Sequence, residues 1–170
     1  MRNQSKFVPR NLILDVDGVF TDGKMYYSSE GKILKAFGAD DSDALNVVKN
    51  KLSITVVSAD SRGFSITKRR IESDMGFDLH LVGARERPTW INENFDSRYC
   101  IYMGDGLLDP LVFRMVGYSI APANASLRTR KEANHVTKNK GGDGAVAEAV
   151  IHILDRFFGG FNIDHDQAGQ

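Results

Sequence analysis

The chain has 170 residues, 42% hydrophobic and 26% charged, which suits one domain able to bury about two-thirds of its unfolded surface. Its 22 Lys and Arg balance 22 Asp and Glu, so no global field favours a nucleic-acid or anionic-membrane partner. A single cysteine, Cys100, excludes a disulfide framework or thiolate metal cluster; with no apolar run long enough for a signal peptide or membrane span, a soluble cytoplasmic protein is expected.

Along the chain, Asn11-Leu12-Ile13-Leu14-Asp15 is a short apolar run closed by an acid, the signature of a strand buried on both faces. Residues 24–37 then carry aromatic and β-branched side chains on either side of Ser29-Glu30-Gly31, a hairpin signal. Helical patterns follow at 43–51, 64–75, 88–94 and 110–116. Between them lie further strand patterns at 54–58, 79–82, 100–105 and 118–121. A last helix is predicted over 145–158, after Gly141-Gly142-Asp143-Gly144, with a polar tail from residue 159. Alternating strands and helices predict an α/β, doubly wound, Rossmann-like parallel sheet of about five or six strands. The hairpin is inserted after the first strand, no cap domain is present, and the single domain has its core over 9–158.

In such a sheet the ligand crevice lies at the carboxyl ends of the strands, and the acids gather there. Asp15 ends the first strand, Asp17 follows it, and Gly18 permits a sharp turn. Asp105 ends a later strand in Gly104-Asp105-Gly106-Leu107-Leu108-Asp109, which sets Asp109 about one helical turn beyond it. Four carboxylates converging in a cleft repel one another unless a cation sits among them. A hard divalent ion with oxygen ligands, Mg²⁺, answers that need. Ser58 closes a middle strand with a hydroxyl suited to a phosphate oxygen. Arg70, on the basic face Lys68-Arg69-Arg70 near that loop, is a candidate anion contact. An EF-hand ligand pattern and a Gly-x-Gly-x-x-Gly fingerprint are both absent, and His80, His135, His152 and His165 show no ligand spacing.

The stretch from Asp15 to Gly23, Asp-Val-Asp-Gly-Val-Phe-Thr-Asp-Gly, resembles the first motif of the haloacid dehalogenase superfamily of aspartyl phosphotransferases. More narrowly, the chain is similar over about residues 9–158 to the 3-deoxy-D-manno-octulosonate 8-phosphate phosphatases. Their relatives act on nonulosonate 9-phosphates or form the C-terminal module of acylneuraminate cytidylyltransferases. The hairpin up to Phe37, Asp41, the stretch 116–125 and the glycines at 141–144 carry this narrower likeness. The resemblance implies Asp15 as nucleophile and Asp17 as acid and base. It implies Asp15, Asp105 and the Asp17 carbonyl as Mg²⁺ ligands, with Asp109 supporting the metal's waters. Ser58 and Ala59 would bind phosphate with Arg87, which stands at the family's lysine, and Asp41 and Arg70 would lie nearer the substrate. A homotetramer is implied, its exposed hairpins packed together and a neighbouring subunit walling the cleft near Gly141 to Gly144.

The chain also departs from the family. Arg87 replaces lysine, the loop Ser58-Ala59-Asp60-Ser61-Arg62 lacks the usual Thr-Gly-Arg and is slightly longer, and family arginines align with Asp143 and Ala147. The activity expected is Mg²⁺-dependent hydrolysis of a sugar-acid phosphate monoester through an aspartyl phosphate. The alternative is a catalytically weakened oligomerisation module of the same fold. A receiver-type phosphoacceptor fits less well, because its acceptor lies on a middle strand with an acidic pair on the first.

Overall fold

The computed structural model describes residues 7–162, so residues 163–170 of the expected polar tail lie outside the described residues. In chain order the strands are β1 (Asn11–Asp15), β2 (Tyr26–Ser28), β3 (Gly31–Leu34), β4 (Ser53–Ser58), β5 (Asp78–Leu81), β6 (Cys100–Met103), β7 (Tyr118–Ala121) and β8 (His135–Val136). All except β2 and β3 form one parallel sheet in the order β5-β4-β1-β6-β7-β8. Helices α1 (Asp40–Val48), α2 (Phe64–Lys68), α3 (Arg87–Asn94), α4 (Pro110–Phe113), α5 (Leu127–Glu132) and α6 (Ala145–Phe157) cover its two faces.

Alternation along β1 divides the core. Leu12 and Leu14 pack on one side with Leu45 and Val48 of α1 and with Val146 and Val150 of α6. Ile13 packs on the other with Ile91 of α3 and Val112 and Phe113 of α4. A strand covered on both faces must be apolar on both, which explains the continuous run ahead of Asp15.

The observed elements differ from the expected ones in places with identifiable causes. Helix α1 starts at Asp40 rather than at residue 43, with Asp40, Asp41 and Asp43 in its first turn, where carboxylates complement the unpaired amides. The predicted 64–75 helix is α-helical only to Lys68; Arg69–Asp74 widen into π-helical turns, and Met75 N donates to the Arg70 carbonyl at 3.1 Å. This register keeps Ile71 and Met75 buried. Strand β6 stops at Met103, short of Asp105, because Asp105 turns its carbonyl to Ser126 N at 3.0 Å. The sequence patterns give no sign of three elements: the short 3-10 turn Ser97–Tyr99, α5, capped by the Ser126 hydroxyl accepting from Thr129 N, and the two-residue β8.

The order of strands reverses at β1, so the crevice opens at its carboxyl end, between the ends of β4 and β6. Strands β2 and β3 make the expected antiparallel hairpin, closed at its base by a bridge between Thr21 and Phe37. Its Met25, Tyr26, Tyr27, Ile33 and Leu34 are exposed. Among the described residues no helix is long and apolar enough to cross a membrane.

Candidate active site

The turn after β1 is shaped by two residues. Gly18 adopts φ +87°, a conformation that disfavours side chains, and a Cβ there would overlap the Asp105 carboxylate. Thr21, fully buried, accepts from Gly18 N at 3.1 Å and Gly23 N at 3.3 Å through its hydroxyl. Asn124 ties this turn to the distant glycine loop, donating to the Gly18 carbonyl at 2.9 Å and accepting from Gly141 N at 2.7 Å.

Asp15 lies at the bottom of the crevice. Its Oδ1 accepts from Val16 N at 2.8 Å, and its Oδ2 pairs with Arg87 Nη1 at 3.0 Å. Burial raises its carboxyl to about 6, against the pull of Arg87 and with the repulsion of Asp109. Arg87 is itself buried. The same Nη1 donates to the Tyr102 hydroxyl at 2.6 Å and to Asp109 Oδ1 at 3.3 Å, while its Nε has no partner. Burial opposes the guanidinium's charge, but Tyr102, Asp15 and Asp109 outweigh it and hold the proton more tightly than usual. Asp109 accepts from Tyr102 at 2.8 Å and from Gly106 N at 2.7 Å, so both of its oxygens are engaged within the protein.

Asp105 stands apart from this hydrogen-bonded set. Burial, then repulsion from Asp15, Asp109 and Asp17, raises its carboxyl to about 7. Oxygens of Asp15, Asp105 and Asp109 fall within 4.8 Å of one another. Three carboxylates facing one guanidinium leave excess negative charge, which adds to burial in raising Asp105. An all-oxygen cluster with that excess suits a hard divalent cation. The Asp17 side chain lies outside the cluster.

Asp17 instead meets the hairpin and the loop after β4. Its Oδ1 pairs with Lys35 Nζ at 2.8 Å, and its Oδ2 accepts from the Ser58 hydroxyl at 3.3 Å. Ser58 is buried and also accepts from Asp60 N at 3.1 Å, while Ala59 is exposed beside it. The structure therefore brings Asp15, Asp17, Ser58, Arg87, Asp105 and Asp109 to one crevice.

Asp41 and Arg70 lie elsewhere. Asp41 Oδ1 accepts from Ala147 N at 3.1 Å, in the first turn of α6. Burial raises its carboxyl to about 6, opposed by the Ala147 and Val146 amides and by the charge of Arg70. Asp41 thus ties α1 to α6, while Arg70, in the π-helical turns, acts on it through its charge. Nearby, a cavity of about 390 Å³ is lined by Gly38, Asp40, Asp143, Gly144, Ala147 and other residues, and its charged side chains are acidic. His135 and His152 stack on each other with ring centres 3.6 Å apart, and His165 is outside the described residues.

Sequence reasoning missed Lys35, Asp60 and Tyr102. The available signals were a lone lysine in the apolar run Ile33-Leu34-Lys35-Ala36-Phe37 and a tyrosine inside an otherwise apolar central strand.

The haloacid dehalogenase-like hydrolase family model matches residues 91–150. The 3-deoxy-D-manno-octulosonate 8-phosphate phosphatase KdsC of Haemophilus influenzae is 31% identical over 148 residues, covering 84% of this chain and 81% of that protein. The cobalt-bound structure of a deoxy-D-mannose-octulosonate 8-phosphate phosphatase from H. influenzae superposes with a TM-score of 0.75 at 29% identity, covering 86% of this chain and 88% of the other. The Moraxella catarrhalis phosphatase in complex with magnesium, phosphate and KDO superposes with a TM-score of 0.72 at 25% identity, with 86% of each chain covered.

These matches place the chain among the haloacid dehalogenase-like hydrolases. Within them it belongs to the family of 3-deoxy-D-manno-octulosonate 8-phosphate phosphatases and is a phosphoric monoester hydrolase.

Proposed function

We propose that this chain hydrolyses the phosphate monoester of a sugar acid, of the octulosonate 8-phosphate or nonulosonate 9-phosphate type, through an aspartyl-phosphate intermediate with Mg²⁺ as cofactor. The observation that carries this reading is the pair Asp15 and Asp17. One carboxylate is buried against Arg87, and the other, two residues on, is held separately at the crevice wall by Lys35 and Ser58.

In the first step an Asp15 oxygen bonds to phosphorus and the bond from phosphorus to the ester oxygen breaks. Asp17 gives its proton to that oxygen, releasing the alcohol. In the second, Asp17 takes a proton from water as the water oxygen attacks phosphorus, which frees Asp15 and phosphate. Arg87 balances charge at Asp15, and the Ser58 hydroxyl with the Ala59 amide binds phosphate oxygens. Asp15, Asp105 and the Asp17 carbonyl would hold Mg²⁺, with Asp109 supporting its waters; when bound, the ion screens the negative nucleophile from the negative phosphate. Asp41, tied to the first turn of α6, and Arg70 would contact the substrate from the edge of the crevice. The exposed hairpin supports a homotetramer in which a neighbouring chain walls the cleft near Gly141 to Gly144.

A second reading, the weakened oligomerisation module, draws on the Asp15 to Arg87 ion pair, because the cation engages the nucleophile directly. The deciding assay measures phosphate release from phosphorylated sugar acids and simple sugar phosphates, with and without Mg²⁺. Simple sugar phosphates belong in the panel because Asp143 and Ala147 offer no cation to a substrate carboxylate. Turnover that falls at least about a hundredfold in both Asp15→Asn and Asp17→Asn, with folding retained, is the expected result. Near-normal release by Asp15→Asn would refute the mechanism, and a fully inert wild type would favour the module.

A further inference from the structure

Lys35 follows β3 at the exit of the hairpin, and its side chain has no solvent exposure. Its ammonium faces three acceptors, each at 2.8 Å: Asp17 Oδ1, Asp60 Oδ2 and the Thr67 hydroxyl. The ammonium is thus enclosed by three protein oxygens, one through a hydrogen bond to Thr67 and two through ion pairs. Burying an ammonium is costly unless it is paired, and two carboxylates supply the pairing here.

The brace is itself anchored. Asp60 is bonded by Lys32 of β3 and accepts from Gly63 N at 3.1 Å. Burial raises the Asp60 carboxyl, but donation from Lys32, Lys35 and Gly63 outweighs it and leaves a value of about 2, so Asp60 is a fixed anion. Asp60 N then donates to Ser58, whose hydroxyl donates to the second oxygen of Asp17. A closed ring thus runs through Asp17, Lys35, Asp60 and Ser58 and fixes the plane of the Asp17 carboxyl group. The two holds are unequal, 2.8 Å from the lysine and 3.3 Å from the serine.

We propose that Lys35, braced by Asp60, is a positioning residue that reserves Oδ1 of Asp17 as a permanent acceptor and leaves Oδ2 to carry the proton to and from the reacting oxygens. The proposal rests on the reading of Asp17 as proton donor. An ammonium is only a donor, so the oxygen facing it stays unprotonated, whereas the Ser58 hydroxyl can turn to accept from a protonated Oδ2 and offer its own hydrogen to phosphate. In the step served, phosphorus bonds to Asp15, the bond to the ester oxygen breaks with its electron pair, and the Oδ2 proton passes to that oxygen. Without Lys35 the carboxyl rotates, and the proton is presented in the correct direction only part of the time.

The test compares two leaving groups. A sugar alcohol needs a proton to depart, whereas p-nitrophenoxide leaves without one. kcat/KM covers the steps up to departure of the leaving group, and the ratio of kcat/KM for two esters is independent of the fraction of folded enzyme. Lys35→Met should lower kcat/KM about 30-fold for the alkyl phosphate best hydrolysed by the wild type, and less than about threefold for p-nitrophenyl phosphate. Asp60→Asn, which leaves the hairpin sequence intact, should shift the ratio in the same direction by a smaller factor. Equal losses on both esters in both variants would reduce Lys35 to a structural lysine and overturn the proposal. A wild type inert on both would instead overturn the phosphatase reading, and this proposal with it.

Discussion

One nitrogen of Arg87 serves both Asp15, at 3.0 Å, and Asp109, at 3.3 Å. Two buried carboxylates thus share a single guanidinium, and removing it leaves both uncompensated. Arg87→Met should destabilise the fold by on the order of 3 kcal/mol, the scale for breaking a buried ion pair, and reduce phosphate release at least about a hundredfold. Arg87→Lys keeps the charge and should be the milder change in both respects, although it loses the planar fork. Thermal unfolding with parallel phosphate assays checks this, and an Arg87→Met protein as stable as the wild type would contradict it.

Asp15 at about 6 and Asp105 at about 7 both lie above the ordinary value of 3.8. The metal-free folded protein therefore keeps protons that the unfolded chain has already lost. The stability these two groups contribute is full below about pH 3.8 and is lost as pH rises through about 6 to 7. A divalent cation must displace those protons, so its stabilising effect should grow between pH 5 and 8. Melting temperatures in Mg²⁺ and in EDTA across that range measure the increment. An increment independent of pH would contradict the cluster as its source. EDTA should also abolish activity, and Mg²⁺ should restore it.

Asp105 and Asp109 should differ in kind. Asp109 has both oxygens engaged by Tyr102, Arg87 and Gly106, so Asp109→Ala orphans buried donors and should lower the melting temperature more. Asp105 is free of that set, so Asp105→Ala should weaken Mg²⁺ affinity more. Calorimetric unfolding and Mg²⁺ titration of the two variants provide the crossed comparison, and the reverse ranking would refute these assignments.

The hairpin yields a prediction about assembly. Tyr27 and Leu34 are 53% and 60% exposed, on a two-stranded ribbon of marginal stability alone. Light scattering at micromolar concentration should give a tetramer mass, and Tyr27→Asp should lower mass and activity together. A monomeric wild type would defeat the assembly.

Much of this architecture was legible in the sequence. β1 and β7 have the expected bounds, because strands buried on both faces leave unbroken apolar runs. The four acids were legible because they fall at or just after strand ends, where a doubly wound sheet places its crevice. Arg87 was reached only through resemblance: Arg85 and Arg87 look alike in sequence, and only the first turn of α3 decides that one is exposed and the other buried. Lys35 was hidden by an inverted pattern, since Ile33 and Leu34 face solvent while the lysine between them and Phe37 is buried. Pattern reasoning assumes the opposite. Asp60 could not be read either, as its partners Lys32 and Lys35 lie in the hairpin, distant along the chain.

Asp15 and Asp17 are separated by one residue, yet they are secured from different stretches of chain. Asp17 is held from the hairpin and the β4 loop by Lys35 and Ser58, and Asp15 by Arg87, which also bonds Tyr102 and Asp109. Under the proposed roles, proton handling and phosphoryl acceptance can therefore diverge separately. A lineage that altered its hairpin could slow departure of the alcohol while its nucleophile and cation site stayed intact. Such a descendant would still become phosphorylated by activated esters, and its history would be readable in which leaving groups it continued to accept.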